Sequence, residues 1–261
     1  MQRIVWFFSL AAVCLLTVFD FRIAGAEEPQ TLRIIENDWP PYYVKDPSAN
    51  LPGFARELLN ICIPQLGYHT DFTFYPVKRM YTYLEKGELD IALFSYRKSR
   101  EALVHFSREP LFASGYRPVV RAGSGIQIRS LADFENLRIG HLAGLKYSES
   151  FLAYIEKRRE AGTLVTSTTG DSCLRMLMED IIDIFVDTES TVRWRAKQTG
   201  LLEKITILDY DIRTRNYFVT VSKASPRITD KKMFIENLDE CLREIKKDGR
   251  YAAIAGKYGL R

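Results

Sequence analysis

Cysteine and histidine are scarce in this chain, four and three among 261 residues. No two cysteines form a CxxC pair and no histidine stands at metal-ligand spacing, so neither a metal site nor a cofactor is expected. Dense blocks of lysine and arginine are missing too. A net charge of +4, spread along the chain, lacks the density that nucleic acid binding demands. No Ser/His/Asp set and no glycine-rich phosphate loop appears. Beyond residue 26 no apolar run is long enough to span a membrane. No Pro/Gly/Ser-rich linker divides the remainder.

What is present begins with a leader. Arg3 precedes an apolar stretch from Ile4 to Phe19, and "AGA" at 24–26 has the small residues of a cleavage site. This predicts an export signal over residues 1–26 and a mature protein in the periplasm. Export permits a disulfide. Of the three cysteines left after cleavage, Cys62 and Cys241 are the expected pair, and the odd count leaves at least one thiol free.

Strands and helices alternate along the rest of the chain. "TLRII" reads as a strand, "LPGFARELLNICIPQLG" has helical apolar spacing that Pro64 should end or kink one turn early, and "DFTFYP" alternates. "VKRMYTYLEKG" is a short helix, and "LDIALFS" is the continuous apolar run of a strand covered on both faces. This βαβαβ pattern puts a ligand crevice at the carboxyl ends of its strands. The pattern then repeats. "YRPVV" leads to "SLADFENL", a helix with Ser130 as N-cap, and "LRIGHLAG" is a strand. "SESFLAYIEKRREAG" is a helix, and "DSCLRMLMED" is a helix capped by Asp171 or Ser172. "IIDIFVD" is another largely apolar strand, ending in Asp187, followed by the helix "TESTVRWRAKQTG", the strands "ITILDYDI" and "YFVTVS", and two closing helices. The connections "LFASGYRPVV" and "IRTRNYFVTV" are extended, which predicts two α/β lobes joined by two strands that open and close over a cleft. The boundaries expected are residues 27–115 plus 216–261 for the first lobe and 116–215 for the second.

"ENDWPPYYVKD", residues 36–46, crowds carboxylates and large aromatics onto a strand end. A loop that only reversed the chain would favour Gly, Asn and Ser. Together with "YLEKGELDIAL", "SYRKSREALVHFS", "EPLF", "SLADFENLRIGHLAG", "DIFVDTES" and "LREIKKDGRYAAIAGKYGL", it makes residues 31–260 resemble the bacterial extracellular solute-binding proteins of family 3. The resemblance implies the type II periplasmic-binding-protein fold, two α/β lobes closing on a polar amino acid or related carboxylate. It also implies a monomer whose partner is a membrane permease or receptor.

The same resemblance assigns a pocket. The stretch "SYRKSR", in the place of the family's S-x-T-x-x-R, gives Ser95 and Arg100, whose guanidinium would grip a carboxylate bidentately. Asp187 in "FVDTES" and Glu36, three before Trp39, would receive an ammonium. Trp39 and Tyr42 would stack on the solute. Two places depart from the family. "GLKYS" puts Leu145 and Lys146 where small hydroxyl residues are usual, so Lys146 would attract a second anion or exclude a cationic side chain. The run from Asp90 to Ser95 is shorter than in typical members.

Each residue also has a plainer reading. Arg100 would pair with Glu101 or Glu109, Asp187 would cap the helix after it, Arg79 would tie helix to strand, and His141 would be structural. As a function, non-catalytic binding for uptake is expected, with a sensory module as alternative. A dehydratase of the prephenate type on the same scaffold is the third reading, with Glu36, Asp187 and Lys146 as acid–base candidates.

Overall fold

A computed structural model describes residues 28–37, 39–45, 50–75, 77–143, 145 and 147–260. The leader expected over residues 1–26 and the side chain of Lys146 therefore lie outside the described residues.

Alternating burial along Thr31–Glu36 makes strand β1, and helix α1, Phe54–Gln65, follows. The chain turns into α1 at Gly53, whose φ is 119° and whose Cβ, if it had one, would lie 2.4 Å from the Tyr42 carbonyl oxygen. Only glycine fits that approach. Pro64 sits inside the last turn of α1, which ends one residue later, so the proline closes the helix without shortening it by a turn. β2 (His69–Phe74), α2 (Val77–Glu85) and β3 (Ile91–Ser95) complete the first βαβαβ unit.

β4 then runs for 18 residues, Val104–Arg121, far beyond the expected "YRPVV". β5 (Ile139–Leu142), α3 (Glu149–Glu160), β6 (Leu164–Ser167), α4 (Gly170–Met178), β7 (Ile184–Thr188) and α5 (Glu189–Gln198) form the second unit. β8 (Ile205–Ile207) is brief, while β9 (Arg213–Ser222) is long; α6 (Lys231–Lys247) and α7 (Arg250–Lys257) end the chain. Two expectations are corrected. "SLADFENL" forms only a 3₁₀ turn, Leu131–Phe134, held by Asp133 accepting from the Ser130 N–H at 2.7 Å. The cap of α4 is Thr169, whose hydroxyl accepts from the Ser172 N–H, and neither Asp171 nor Ser172 takes that place.

The strands form one sheet in the order β2-β1-β3-β9-β4-β7-β5-β6, with β8 on β4. β1, β2 and β3 are mutually parallel, as are β5, β6 and β7, while β9 and β4 run antiparallel to their neighbours. Four apolar cores flank the sheet. Leu58, Cys62, Leu238 and Leu242 pack beneath α1 and α6, and Met80, Leu84 and Phe94 pack beneath α2 on the other face. Phe134, Phe151 and Ile155 form the core under α3, and Leu174, Leu177 and Val192 that under α4 and α5. The first two cores belong to one lobe and the last two to the other. The fold is the two-lobed type II arrangement, with β4 and β9 passing through both lobes.

Cys62 and Cys241 are bonded, joining α1 to α6 inside the first lobe, and Cys173 is free and buried. The bridge closes a loop across 179 residues of separation, which on chain-entropy grounds is worth about 3–5 kcal/mol. Replacing both bridging cysteines with alanine should lower the unfolding free energy in urea by that amount, with unchanged far-UV circular dichroism.

Candidate functional site

Strand pairing builds the site. In the β4/β9 ladder Phe112 lies opposite Tyr217, Ser114 opposite Arg215 and Tyr116 opposite Arg213. Side chains two apart on a strand share a face, and directly opposed residues share it across the ladder. All six therefore point to one side. β3 ends against this face, with Ser95 opposite Tyr217.

A cavity of about 170 Å³ opens there. The first lobe contributes Phe94, Ser95, Arg97 and Arg100 from the end of β3 and the turn after it. The crossing strands contribute Ser114, Tyr116, Arg213, Arg215 and Tyr217, and the connection between β5 and α3 contributes Leu145. Two larger depressions, of about 370 and 310 Å³, lie on the first lobe alone. Only the smaller cavity joins side chains of both lobes among these three, so it is the candidate site.

Its charge is one-sided: among the described residues four arginines line it and no carboxylate does. Arg100 is positioned by neutral groups. One terminal nitrogen donates to the Ser95 carbonyl at 2.6 Å, Nε donates to the Tyr81 hydroxyl at 3.3 Å, and the guanidinium carbon lies 4.5 Å from the Phe94 ring centre. The alternative partners are engaged elsewhere, Glu101 by the Tyr96 hydroxyl and Glu109 by Lys246. Arg213 donates to the Tyr147 carbonyl at 2.8 Å. Burial lowers the pKa of Arg213, and the like charges of Arg215 and Arg97 lower it further. Burial raises that of the Tyr217 phenol, against the pull of Arg213, Arg100 and Arg97.

An aromatic wall stands behind the cavity. Tyr42 stacks on Phe112 at 3.7 Å and Phe112 on Tyr217 at 5.3 Å. Trp39, half-buried, meets Tyr217 edge-on at 4.8 Å. The Tyr42 ring is buried. Its hydroxyl accepts from Ser190 Oγ at 3.0 Å and donates to the Ala113 carbonyl at 3.3 Å, while Thr191 Oγ1 donates to the Pro40 carbonyl at 2.7 Å. Both hydroxyl bonds from α5 join the second lobe to the turn after β1.

The expected site residues thus part company. Ser95 and Arg100 line the cavity. Trp39 and Tyr42 support its wall from behind rather than facing in. Glu36 turns away to a different depression, where it is ion-paired with Arg56 at 3.2 Å beside Lys45 and Phe74. Burial raises its pKa, and the charge of Arg56 works against that rise. Asp187 is 4% exposed and is not among the lining residues. Its Oδ1 accepts from the Thr188 N–H at 2.7 Å, and its Oδ2 lies only 3.2 Å from where a Cβ on Gly170 would stand. The expected Arg100–Asp187 clamp across one cavity is corrected accordingly, because the carboxylate is folded into the junction of β7 with α4. It does not cap the next helix with its side chain either: Thr188 holds the N-cap position of α5. Arg79 is exposed and off the cavity, and His141 is buried in β5. Among the described residues no group of His, Cys, Asp and Glu is arranged to hold a metal, and no helix is long and apolar enough to cross a membrane.

Arg97, Arg213, Arg215, Tyr116 and Tyr217 are not assigned by sequence motifs. The signal for three of them is nonetheless present: "RTRNY" sets Arg213, Arg215 and Tyr217 at the period of one strand face. Taking that stretch only as a hinge conceals it.

The family model of bacterial extracellular solute-binding proteins, family 3, matches residues 33–261. No curated protein matches the sequence. Among solved structures, an ancestral arginine-binding protein bound to arginine is 24% identical, with a TM-score of 0.66 over 89% of this chain and 99% of that one. The probable amino-acid ABC transporter extracellular-binding protein ytmK from Bacillus subtilis is 17% identical, with a TM-score of 0.70 over 88% of this chain and 98% of that one. A histidine kinase sensor domain with similarity to periplasmic binding proteins is 20% identical, with a TM-score of 0.66 over 88% and 96%. At these identities the likeness is one of fold.

Burial pushes the pKa of Asp187 up to about 6, aided by Asp171 and opposed by the Thr188 N–H and Arg195. A carboxyl whose folded pKa lies above its unfolded value binds more protons when folded, so its contribution to stability falls as pH rises from about 4 through 6. Asp187→Asn should therefore stabilise the solute-free protein, and by about 1–2 kcal/mol more at pH 8 than at pH 5. Denaturant midpoints at the two pH values measure this.

Proposed function

Because the chain belongs to the bacterial extracellular solute-binding proteins of family 3, we propose that it captures a small polar solute, an amino acid or related carboxylate, between its two lobes in the periplasm. The reading carries no catalytic step. The observation behind it is a cavity that joins both lobes and presents four guanidinium groups with no carboxylate among its lining residues. Guanidinium matches a carboxylate fork to fork, and the attraction strengthens once closure expels water.

The first lobe is assigned residues 27–115 and 216–261, and the second residues 116–215. The division of the apolar cores supports these limits, with the buried members of two cores at positions 32–112 and 219–258 and of the other two at 119–212. Ser95 and Arg100 then hold the solute from the first lobe, Leu145 meets it from the second, and the solute favours the closed form because only that form contacts it from both sides. The protein acts as a monomer after removal of a leader at residues 1–26. It delivers the loaded form to a membrane permease, a role supported by the likeness in fold to the Bacillus subtilis protein named as a probable ABC transporter component. A second reading, in which a membrane receptor senses the loaded form, is favoured by the similarity in fold to the histidine kinase sensor domain.

Arg100→Ala should weaken solute binding by about 2–5 kcal/mol, the usual effect of truncating one member of a buried charge pair. Titration calorimetry with the solute that protects the parent best against thermal unfolding reads this out, and undiminished affinity would remove Arg100 from the site. Saturating solute should also shrink the radius of gyration in small-angle scattering. An unchanged curve would exclude closure.

A further inference from the structure

The cavity holds more positive charge than one carboxylate can balance. We propose that the solute is a small organic dianion without an ammonium group, with one anionic group held at Ser95–Arg100 and the other at Arg215 and Arg213, flanked by Arg97. The inference rests on the solute-binding reading and narrows the class of solute.

Three observations carry it. The first is the count of charges: Arg97, Arg100, Arg213 and Arg215 all line a space of about 170 Å³ with no lining carboxylate among the described residues. The second is that Arg97, Arg100 and Arg215 have no ion pair among the described residues. Elsewhere arginines hold carboxylates, as Arg138 does with Asp183 and Asp180, and Arg195 with Asp171. At the cavity, the partners of Arg100 are a carbonyl, a phenol and an aromatic face. Arg97 and Arg215 make no ion pair with any described residue and are exposed. Gathered cations with low-dielectric aromatic walls repel one another unless an anion enters. The lowered pKa of Arg213, to which Arg215 and Arg97 contribute, is consistent with that repulsion.

The third observation concerns what an ammonium would meet. The carboxylates placed to receive one are both engaged away from the cavity, Glu36 with Arg56 and Asp187 with the Thr188 N–H. An α-ammonium entering here would face like charges and no acceptor carboxylate among the described lining residues. The geometry supplies two separated grips instead. Ser95 lies opposite Tyr217, so Arg215 and Arg213 stand two and four residues further along β9, about 7 and 13 Å by strand rise.

The test uses the purified protein and matched probes, by thermal shift and titration calorimetry at low and moderate salt. Glutarate and glutamate differ only in the ammonium group. Succinate, butyrate and glycerol 3-phosphate vary the number and kind of anionic groups, and glutamine and arginine represent zwitterionic and cationic amino acids. The expected result is that a dicarboxylate or the phosphate monoester binds at least a hundredfold tighter than butyrate, glutamine or arginine, and glutarate at least tenfold tighter than glutamate. Whether succinate and glutarate or glycerol 3-phosphate binds better identifies the anionic group. Arg97→Gln and Arg215→Gln, both at exposed side chains, should each lower dianion affinity at least tenfold and flatten its salt dependence, with the unfolding midpoint of the solute-free protein unchanged or raised as repulsion is relieved. Glutamate equal to glutarate, glutamine or arginine equal to the dianions, or dianion affinity unmoved in both variants would overturn the inference and leave the solute-binding reading standing. Stabilisation by no probe of any kind would overturn that reading, and this inference with it.

Discussion

The β4/β9 ladder is the constraint on which the structure depends. It is the one pairing that runs through both lobes, and its register decides which side chains face the cleft. Because opposed residues share a face, Ser114 with Arg215 and Tyr116 with Arg213 enter the cavity together. A slip of one residue would send both arginines to the opposite side and replace them with Thr214 and Asn216. The aromatic stack of Tyr42, Phe112 and Tyr217 holds that register from behind. Phe112 and Tyr217 are themselves a cross-strand pair, so the stack and the ladder reinforce one another. The ladder that crosses between the lobes also lines the cavity.

Much of the fold was legible because its signals are local or periodic. "IALF" and "IFV" are apolar throughout and became buried strands, and helix α6 followed its spacing of Phe234, Leu238, Leu242 and Ile245. The disulfide between Cys62 and Cys241 also agreed with expectation. Boundaries were less legible where strand character extends through mixed residues. "VHFSREPLFASGY" has no clean alternation, yet it belongs to β4, since pairing with β9 satisfies its backbone whatever its side chains prefer. Ser130 illustrates the opposite error: a sound capping signal began a single 3₁₀ turn rather than an α-helix.

The site was legible only in part, for a related reason. Ser95 and Arg100 fall in one short stretch after a strand, and a linear motif finds them. Arg213 and Arg215 lie more than a hundred residues away and reach the same cavity only through sheet pairing. The carboxylates misled for a different reason. Sequence gives residue type and neighbourhood, but the direction of a side chain at a strand end depends on what packs beside it. Asp187 is drawn inward by the adjacent Thr188 N–H and by the bare Gly170, and Glu36 is drawn sideways by Arg56 one helix away. Neither partner is predictable from spacing alone.

The two hydroxyl bonds from α5 to the turn after β1 have a mechanical consequence. Ser190 to Tyr42 and Thr191 to Pro40 tether the lobes at a point outside the strand pair. Two ribbons alone leave freedom to roll and shear. A third anchorage, at the first turn of α5, restrains both. Under the solute-binding reading, the lobes would part at the rim farthest from that anchorage, and the solute would enter and leave there.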